Sequence, residues 1–486
     1  MKSILMSFMV FLFLTGCALV GDDYTRPEVR LPKNWEHSSD YRYWKEADPQ
    51  DHQSKGAWWE IFDDKILNAL QEKALNYNHD LKSAMANVRK ARALARIDKA
   101  SFLPTIMMSP EFERSRTTRN SLNSTSASAN SFISERYEIP FDLTYEIDLW
   151  GRVRRIYEAG VAQAEATVAE YYTVMLTLNA DVARHYFQLL ELDKEIAVID
   201  ETIKLREYAV EVVEERVKGG VTSELDLNRA KTELAKVQAD RVEIVRQRQE
   251  IENALAVLCG QLPSEFSVDY HPLDLSVPNV PLNMPSELLE RRPDIAQAER
   301  SVASANANIG VAQGALFPKI SLAATGGFKS VELSSLGNWE SRFWSLGPNV
   351  SIPLFTGGKG KANIQAAEAE YDQTVEDYRQ TVLKAIEEVE TAMSNIRQLE
   401  KQSTVLQEIL LSSRQTAELS IFRYKEGLVT FLEVIDAERS RLDAELQTTR
   451  VANQRLISAI QLIKALGGSW GEDPQPPFYN RRTMRF

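Results

Sequence analysis

The chain has 486 residues, a formal net charge of −12 and 44% hydrophobic residues, a length that allows more than one ordinary domain and a composition of the usual globular kind. No stretch is strongly basic, which argues against a nucleic-acid surface. The two cysteines, Cys17 and Cys259, stand in unlike contexts and indicate no disulfide framework; the five histidines, His37, His52, His79, His185 and His271, form neither an HExxH motif nor a Cys/His metal cluster.

The first element is a targeting signal. Lys2 gives a short positive region, and Ile4 to Leu14 is an apolar run of about eleven residues, where a bilayer-spanning helix needs about twenty. The run ends in Leu14-Thr15-Gly16-Cys17, small residues before a cysteine, which is the bacterial lipobox pattern. Residues 1–16 are therefore expected to be cleaved and Cys17 acylated on its sulfur and new amino terminus; the alternative is a plain signal peptide with an incidental cysteine. Ala18, not Asp, follows Cys17, and by resemblance to bacterial lipoprotein sorting this favours the outer membrane. After residue 20 no further apolar run of eighteen occurs, so any crossing by the mature chain must use strands.

Residues 22–60 are polar and irregular, with Pro27, Pro32, Trp35 and the pair Trp58-Trp59. Together with 261–285 and 469–486 they are expected to make a small mixed domain around the middle of a rod. The expected division is 17–62, a first repeat 63–262, a linker 263–285, a second repeat 286–468 and a tail 469–486.

A helix is expected over about 64–101. Then Thr105 to Arg116 alternates, Ile106, Met108 and Phe112 against Glu111 and Glu113, and a Ser/Asn-rich stretch 115–131 reads as a long exposed loop. From Tyr137 to Leu149 the alternation is strict: Tyr137, Ile139, Phe141, Leu143, Tyr145, Ile147 and Leu149 fall on one face, Glu138, Asp142, Thr144, Glu146 and Asp148 on the other. Period two with one apolar and one charged face marks a strand between two unlike media; its length suits a transmembrane strand and its acidic face suits a watery lumen.

A long helix follows from about Arg154 to Lys218. Met175, Leu178, Val182, Leu189, Leu192, Ile196, Ile199, Ile203, Val210, Val213 and Val217 form a heptad seam, interrupted by His185 and Arg206. A helix of about 64 residues is about 95 Å long, a rod that no compact domain contains. After the turn Gly219-Gly220-Val221-Thr222 a partner helix is expected over 221–259, and two such shorter helices, stacked end to end, could run beside one long helix. Arg291-Arg292-Pro293-Asp294 reads as a helix start. Strands are expected again where Ile320, Leu322, Ala324 and Phe328, then Leu346, Val350, Ile352 and Leu354, alternate. Thr356 to Lys361 lacks the GxxxxGK[ST] spacing of a phosphate loop and is read as a strand turning into a helix. Cys259 is read as a small buried residue and His185 as a packed polar interruption.

The second half repeats the first. Glu215-Arg216-Val217-Lys218-Gly219-Gly220-Val221-Thr222 answers Phe422-Arg423-Tyr424-Lys425-Glu426-Gly427-Leu428-Val429, and Met175, Leu178 and Val182 map onto Val382, Ala385 and Val389 at a separation of 207. Each half offers one hairpin, so the chain offers four strands. Four strands cannot close a barrel, and lipid tolerates no open edge. Two copies would give eight strands, too narrow for a duct because side chains fill it; three would give twelve, so a cyclic trimer is favoured. Just past the second turn, Glu433 and Asp436 are three apart and share a helix face. On a lumen they would make acidic rings; a solvated face is the commoner meaning of that spacing.

The chain resembles the outer membrane efflux proteins (TolC-like), in the lipoprotein branch serving resistance-nodulation-division drug pumps. The resemblance rests on Cys17, Tyr24-Thr25-Arg26-Pro27 with Pro32 and Trp35, Arg291-Arg292-Pro293-Asp294-Ile295, Gly347-Pro348 with Ile352-Pro353-Leu354-Phe355, and the two Arg-x-x-x-Gly turns; it spans nearly the whole mature chain. It implies a mostly α fold with a transmembrane β-barrel: a homotrimer whose twelve strands sit in outer-membrane lipid and continue as an α-helical barrel. A periplasmic adaptor would dock on it and link it to an inner-membrane resistance-nodulation-division transporter, which supplies the energy, so no cofactor is required and no enzyme activity is expected. It further implies adaptor contact at Gly219, Gly220, Val221, Thr222 and Gly427, Leu428, Val429, Thr430, and a periplasmic gate in which Glu433 and Asp436 match the family's constriction. Asp226 and Tyr424 match a pair whose hydrogen bond holds the closed mouth, and Arg229 departs from a fully acidic ring. The rival readings are the exit duct of a type I protein-secretion system and a non-conducting periplasmic coiled-coil scaffold.

Overall fold

A computed structural model of the chain describes residues 19–29, 56–116, 118, 133–272 and 291–468. Cys17, Pro32, Trp35 and the tail 469–486 lie outside the described residues. Seven helices are described: α1 (Lys65–Tyr77), α2 (His79–Ala100), α3 (Arg152–Lys218), α4 (Glu224–Leu258), α5 (Pro293–Gly314), α6 (Lys359–Lys425) and α7 (Phe431–Ala465). The strands are β1 (Thr105–Met108), β2 (Glu111–Arg116), β3 (Ile133–Ile147), β4 (Lys319–Ser330) and β5 (Arg342–Ser351).

The duplication is carried into the backbone. α3 and α6 each have 67 residues, α4 and α7 each have 35, and both later helices begin and end 207 residues after the earlier ones. The heptad seam is the buried stripe: Val182, Leu189 and Val213 on α3, and Val382, Ala385 and Val389 on α6, are all at most 1% exposed. The segment expected as one helix over 64–101 is two. Asn78 breaks it: its side chain accepts from the Leu81 amide at 2.9 Å and donates to the Leu258 carbonyl at 3.0 Å, capping α2 in the way Asn favours. Asp64 likewise caps α1, accepting from the Ile66 and Leu67 amides.

Two compact units are built, each from both sequence repeats. Of the described residues, one holds those within 1–27, 88–167 and 298–378, and the other those within 28–87, 168–297 and 379–486. The second has a core of Trp58, Leu67, Tyr186, Leu189, Leu255 and Ile463 among others. In the first, residues 20–24 are strapped to α3 and α5. The buried guanidinium of Arg155 donates to the Val20 and Gly21 carbonyls and to Asp23, and the Tyr24 hydroxyl donates to Glu299 at 2.5 Å.

The sheet of that unit is antiparallel throughout, in the order β1/β2–β3–β4–β5. Its first strand is broken into β1 and β2 around Ser109-Pro110, where proline cannot donate to a ladder. At the middle of the sheet the register sets apolar and polar rows alternately. Ile106, Leu143, Ala324 and Leu346 form an apolar row, and Met107, Asp142, Thr325 and Ser345 the neighbouring polar one. Ile352 and Leu354, expected in the last strand, lie beyond it, because β5 ends at Ser351 opposite Lys319, the first residue of β4. Among the described residues no helix is long and apolar enough to cross a membrane.

At Gly327 a Cβ would lie 2.0 Å from the Ile139 carbonyl oxygen on the adjacent strand. Gly327→Val should therefore block β3–β4 pairing, and size-exclusion chromatography with light scattering should find no detergent-stable trimers of the variant. Recovery of normal trimers would show that the sheet yields at this point.

Candidate functional site

The two helix-hairpin turns are built alike. At the end of α3 the Val221 amide donates to the Arg216 carbonyl and the Gly220 amide to Val217, both at 2.9 Å; at the end of α6 Leu428 donates to Arg423 at 2.9 Å and Gly427 to Tyr424 at 3.0 Å. This is the Schellman closure, which needs a left-handed residue, and Gly220 (φ +72°) and Gly427 (φ +76°) supply it. Each turn then presents one bare apolar side chain, Val221 at 65% and Leu428 at 66% exposure, followed by exposed Leu225 and Leu432. Gly219, Gly220, Gly427 and Thr430 are exposed as well, while Thr222 and Val429 are half-buried.

Behind the second turn, Phe431, Val434 and Ile435 of α7 pack with Val213, Ala230 and Tyr424. That burial turns Glu433 and Asp436 outward together, and both are exposed; Asp436 has Arg439 3.9 Å away. On the other hairpin Asp226 accepts from the Thr222 hydroxyl at 2.8 Å and lies 3.5 Å from exposed Arg229. The expected Asp226–Tyr424 hydrogen bond is not formed. Thr222, one turn before Asp226, takes the carboxylate, and the Tyr424 ring is drawn into the apolar cluster, 5.3 Å from Phe431 and 4.8 Å from the Arg216 guanidinium. Its hydroxyl is buried without a hydrogen-bond partner.

What ties these helices together is a set of charged cross-links that the heptad pattern did not reveal. Glu233 of α4 is the hub. Arg206 of α3 donates to its backbone carbonyl at 2.6 Å and its carboxylate at 3.1 Å, Lys236 lies 2.9 Å away, and Arg439 of α7 grips it with two nitrogens. The hydrogen bonds from Arg439 outweigh burial and, with Lys236, hold the Glu233 carboxyl down at about 2. Further along, α3 is tied to α4 by Asp200–Arg241 and Asp193–Arg248, each at 2.5 Å, and to α7 by Glu195–Arg450 at 2.6 Å. Arg206, read from the sequence only as an interruption of the seam, is thus a buried member of an ion cluster; long-range partners such as Arg439 leave no local signal.

Glu191 of α3 is the weak point of the series. Burial, with Glu195 nearby, pushes its carboxyl up to about 7, against the opposing help of Asn453 and Arg450. His185 contacts the Asp181 carbonyl oxygen through Nδ1 at 2.7 Å, Cys259 is fully buried, and Arg292 binds Asp294, Glu388 and the Ala465 carbonyl at the start of α5. All three therefore serve packing. Among the described residues no group of His, Cys, Asp and Glu could hold a metal.

A four-strand ribbon with one apolar and one polar face, carried by duplicated antiparallel hairpins, defines the protomer of an outer-membrane duct. The family described as Outer membrane efflux protein matches residues 70–261 and 284–468. The outer membrane protein OprJ of Pseudomonas aeruginosa is 30% identical over 469 residues, 96% of each chain. The cation efflux system protein CusC of Escherichia coli is 32% identical over 470 residues, 96% of this chain and 98% of its own. A solved structure of the outer-membrane channel OprN superposes with a TM-score of 0.85 at 31% identity, covering 94% of this chain and 100% of that one. The chain belongs to the outer membrane efflux protein family. It is an outer-membrane channel component of an efflux pump and not an enzyme. Its fold is that of the trimeric outer-membrane efflux channels, with strands for a shared β-barrel and long helices for an α-helical barrel.

Removing the Glu233 carboxylate leaves the buried Arg206 with the backbone carbonyl of that residue but without its paired charge. Glu233→Ala should cost about 3–5 kcal/mol, whereas Arg439→Ala, at a half-exposed guanidinium, should cost under about 1 kcal/mol; thermal unfolding of the purified protein checks both. For Glu191 the folded-state value lies above the ordinary carboxyl value of 4.5. Its ionisation therefore opposes folding, and the stability it grants at low pH is lost as pH rises from about 4.5 through about 7. Glu191→Gln should melt together with the wild type at about pH 4 and be more stable by on the order of 2 kcal/mol at about pH 8. Equal stability at both pH values would place the ionised carboxylate in a solvated site.

Proposed function

We propose that the protein is the outer-membrane duct of a tripartite pump, served by a periplasmic adaptor that seats on its hairpin tips and by an inner-membrane resistance-nodulation-division transporter that supplies drugs or other small molecules. The reading is carried by one observation. Both turns, 207 residues apart, close in the same way and leave an apolar side chain bare at the same place, Val221 and Leu428. A soluble surface gains nothing from two matched apolar tips, whereas a partner with repeated helical hairpins can cover both.

In this reading Gly219 to Thr222 and Gly427 to Thr430 are the contact surface, and the exposed pair Glu433 and Asp436 lines the mouth behind it, with Asp226, Arg229 and Tyr424 setting how the two hairpins meet there. Three copies of Glu433 and Asp436 brought together would repel one another and attract cations, a basis for both constriction and cation entry. Cys17 carries the lipid; the docking of residues 20–24 on Arg155 supports a mature N-terminus held close to the sheet-bearing unit.

The test is a photo-crosslinker placed at Leu428 in cells of the native host, with the captured protein identified by mass spectrometry. An adaptor encoded beside a proton-driven transporter is the expected product. An adaptor of an ATP-driven secretion system would move the duct to polypeptide export, and no periplasmic product would remove the docking role. Leu428→Asp should abolish compound resistance while the purified trimer keeps its single-channel conductance.

A further inference from the structure

The polar face of the sheet carries three acidic residues on β3, Glu138, Asp142 and Glu146, at intervals of four, with Glu111 and Glu113 on β2 beside it. On sequence alone this face is uniformly acidic. The register changes that. Glu138 lies opposite Lys329 and its carboxylate is 3.1 Å from the ammonium. Glu146 is held by Lys319 at 2.9 Å and by Arg152 at 2.8 Å. Arg136 sits among Glu113 at 2.7 Å, Glu111 at 3.3 Å and Glu138 at 3.7 Å. Asp142 alone has no cation near it among the described residues; it accepts one hydrogen bond, from the Thr325 hydroxyl at 2.6 Å.

Another protomer cannot bring a strand beside Asp142. β3 is flanked by β1 and β4 of the same chain, so the row through Asp142 is filled by Met107 on one side and Thr325 and Ser345 on the other. The rows just above and below on this face are uncharged. One holds Pro140, Gly327 and Phe343, and the other Thr105, Thr144, Ala323 and Gly347. The centre of the polar face therefore bears one fixed charge per chain that has no cation beside it, whereas the carboxylates on either side of it all lie against cations: Glu111, Glu113 and Glu138 against Arg136 and Lys329, and Glu146 against Lys319 and Arg152.

We propose that Asp142, repeated by the threefold assembly, is the ion-selectivity ring of the barrel, so that the barrel's preference for cations is set there and not by the acidic face as a whole. Charges in close pairs cancel at a distance, while an uncompensated ring gives the lumen a potential that decays over the Debye length, about 30 Å at 10 mM salt and about 3 Å at 1 M. Selectivity from this source is strong in dilute salt and fades in concentrated salt.

The test is the reversal potential of purified trimers in a planar bilayer under a potassium chloride gradient near 10 mM, in a Glu433→Gln/Asp436→Asn background that removes the charges expected at the mouth. Asp142→Asn should move the reversal potential toward zero with conductance retained, and the shift should vanish near 1 M. The double variant Glu138→Gln/Lys329→Gln, which removes a neutral pair, should leave it where it was. Should Asp142→Asn fail to form trimers, Thr325→Lys places a cation in the same row and should produce the same shift. An unchanged reversal potential in conducting Asp142→Asn or Thr325→Lys channels overturns the proposal, as does an equal shift in the neutral-pair variant. The duct reading itself is judged separately, by whether the wild-type trimer conducts.

Discussion

The constraint on which everything else depends is that a backbone amide or carbonyl in lipid must find its partner within protein. The described residues make a ribbon four strands wide, with β1/β2 at one edge and β5 at the other, neither edge paired among the described residues. Neither edge can face hydrocarbon, so the ribbon is complete only when other copies supply the missing ladders. Closure fixes the side-chain pattern too. Once the barrel is closed, one face sees lipid and the other water, and the register from β1 to β5 keeps apolar rows such as Ile106, Leu143, Ala324 and Leu346 apart from polar ones.

The helical part solves a different problem. Its seam of Val, Leu, Ile and Ala is long but narrow, and a heptad pattern by itself allows neighbouring helices to slip by a turn. The charged ties remove that freedom. Asp193–Arg248 and Asp200–Arg241 are one heptad apart along α3 and along antiparallel α4, so a single register satisfies both. Glu233 adds a junction of three helices where Arg206 and Arg439 meet one carboxylate. The corresponding places in the other repeat are Ser413, Ser440 and Thr232, which cannot make that junction. The two hairpins share a backbone plan, and the junction joins the first to α7 of the second through Arg439, one turn beyond Asp436.

Much of this was legible before any coordinates. The duplication, the long helices, the glycine turns and the strand faces follow from local periodicity, since side-chain direction in a helix or strand is fixed by the backbone repeat. Where the reading failed, nearby geometry had the last word. Asn78 caps α2 and divides one expected helix into two. Ser109-Pro110 divides the first strand. The last strand stops where its partner begins, leaving Leu354 outside. Tyr424 matches the family pattern, and within the chain its ring packs against Phe431 while its hydroxyl has no hydrogen-bond partner.

The sequence by itself determined the kind of object: a repeated strand–helix unit whose strands need other copies and whose turns end in glycine. These are properties of neighbours in the chain. The tertiary structure alone decided which charges count. Glu138, Asp142 and Glu146 are indistinguishable by spacing, and only the pairing of β3 with β4 gives Lys329 to the first, Lys319 to the last and a threonine to Asp142. The same holds for Glu233 and Arg439, 206 positions apart. A charge's effect depends on what stands a few ångströms away in space, and sequence separation carries no information about that.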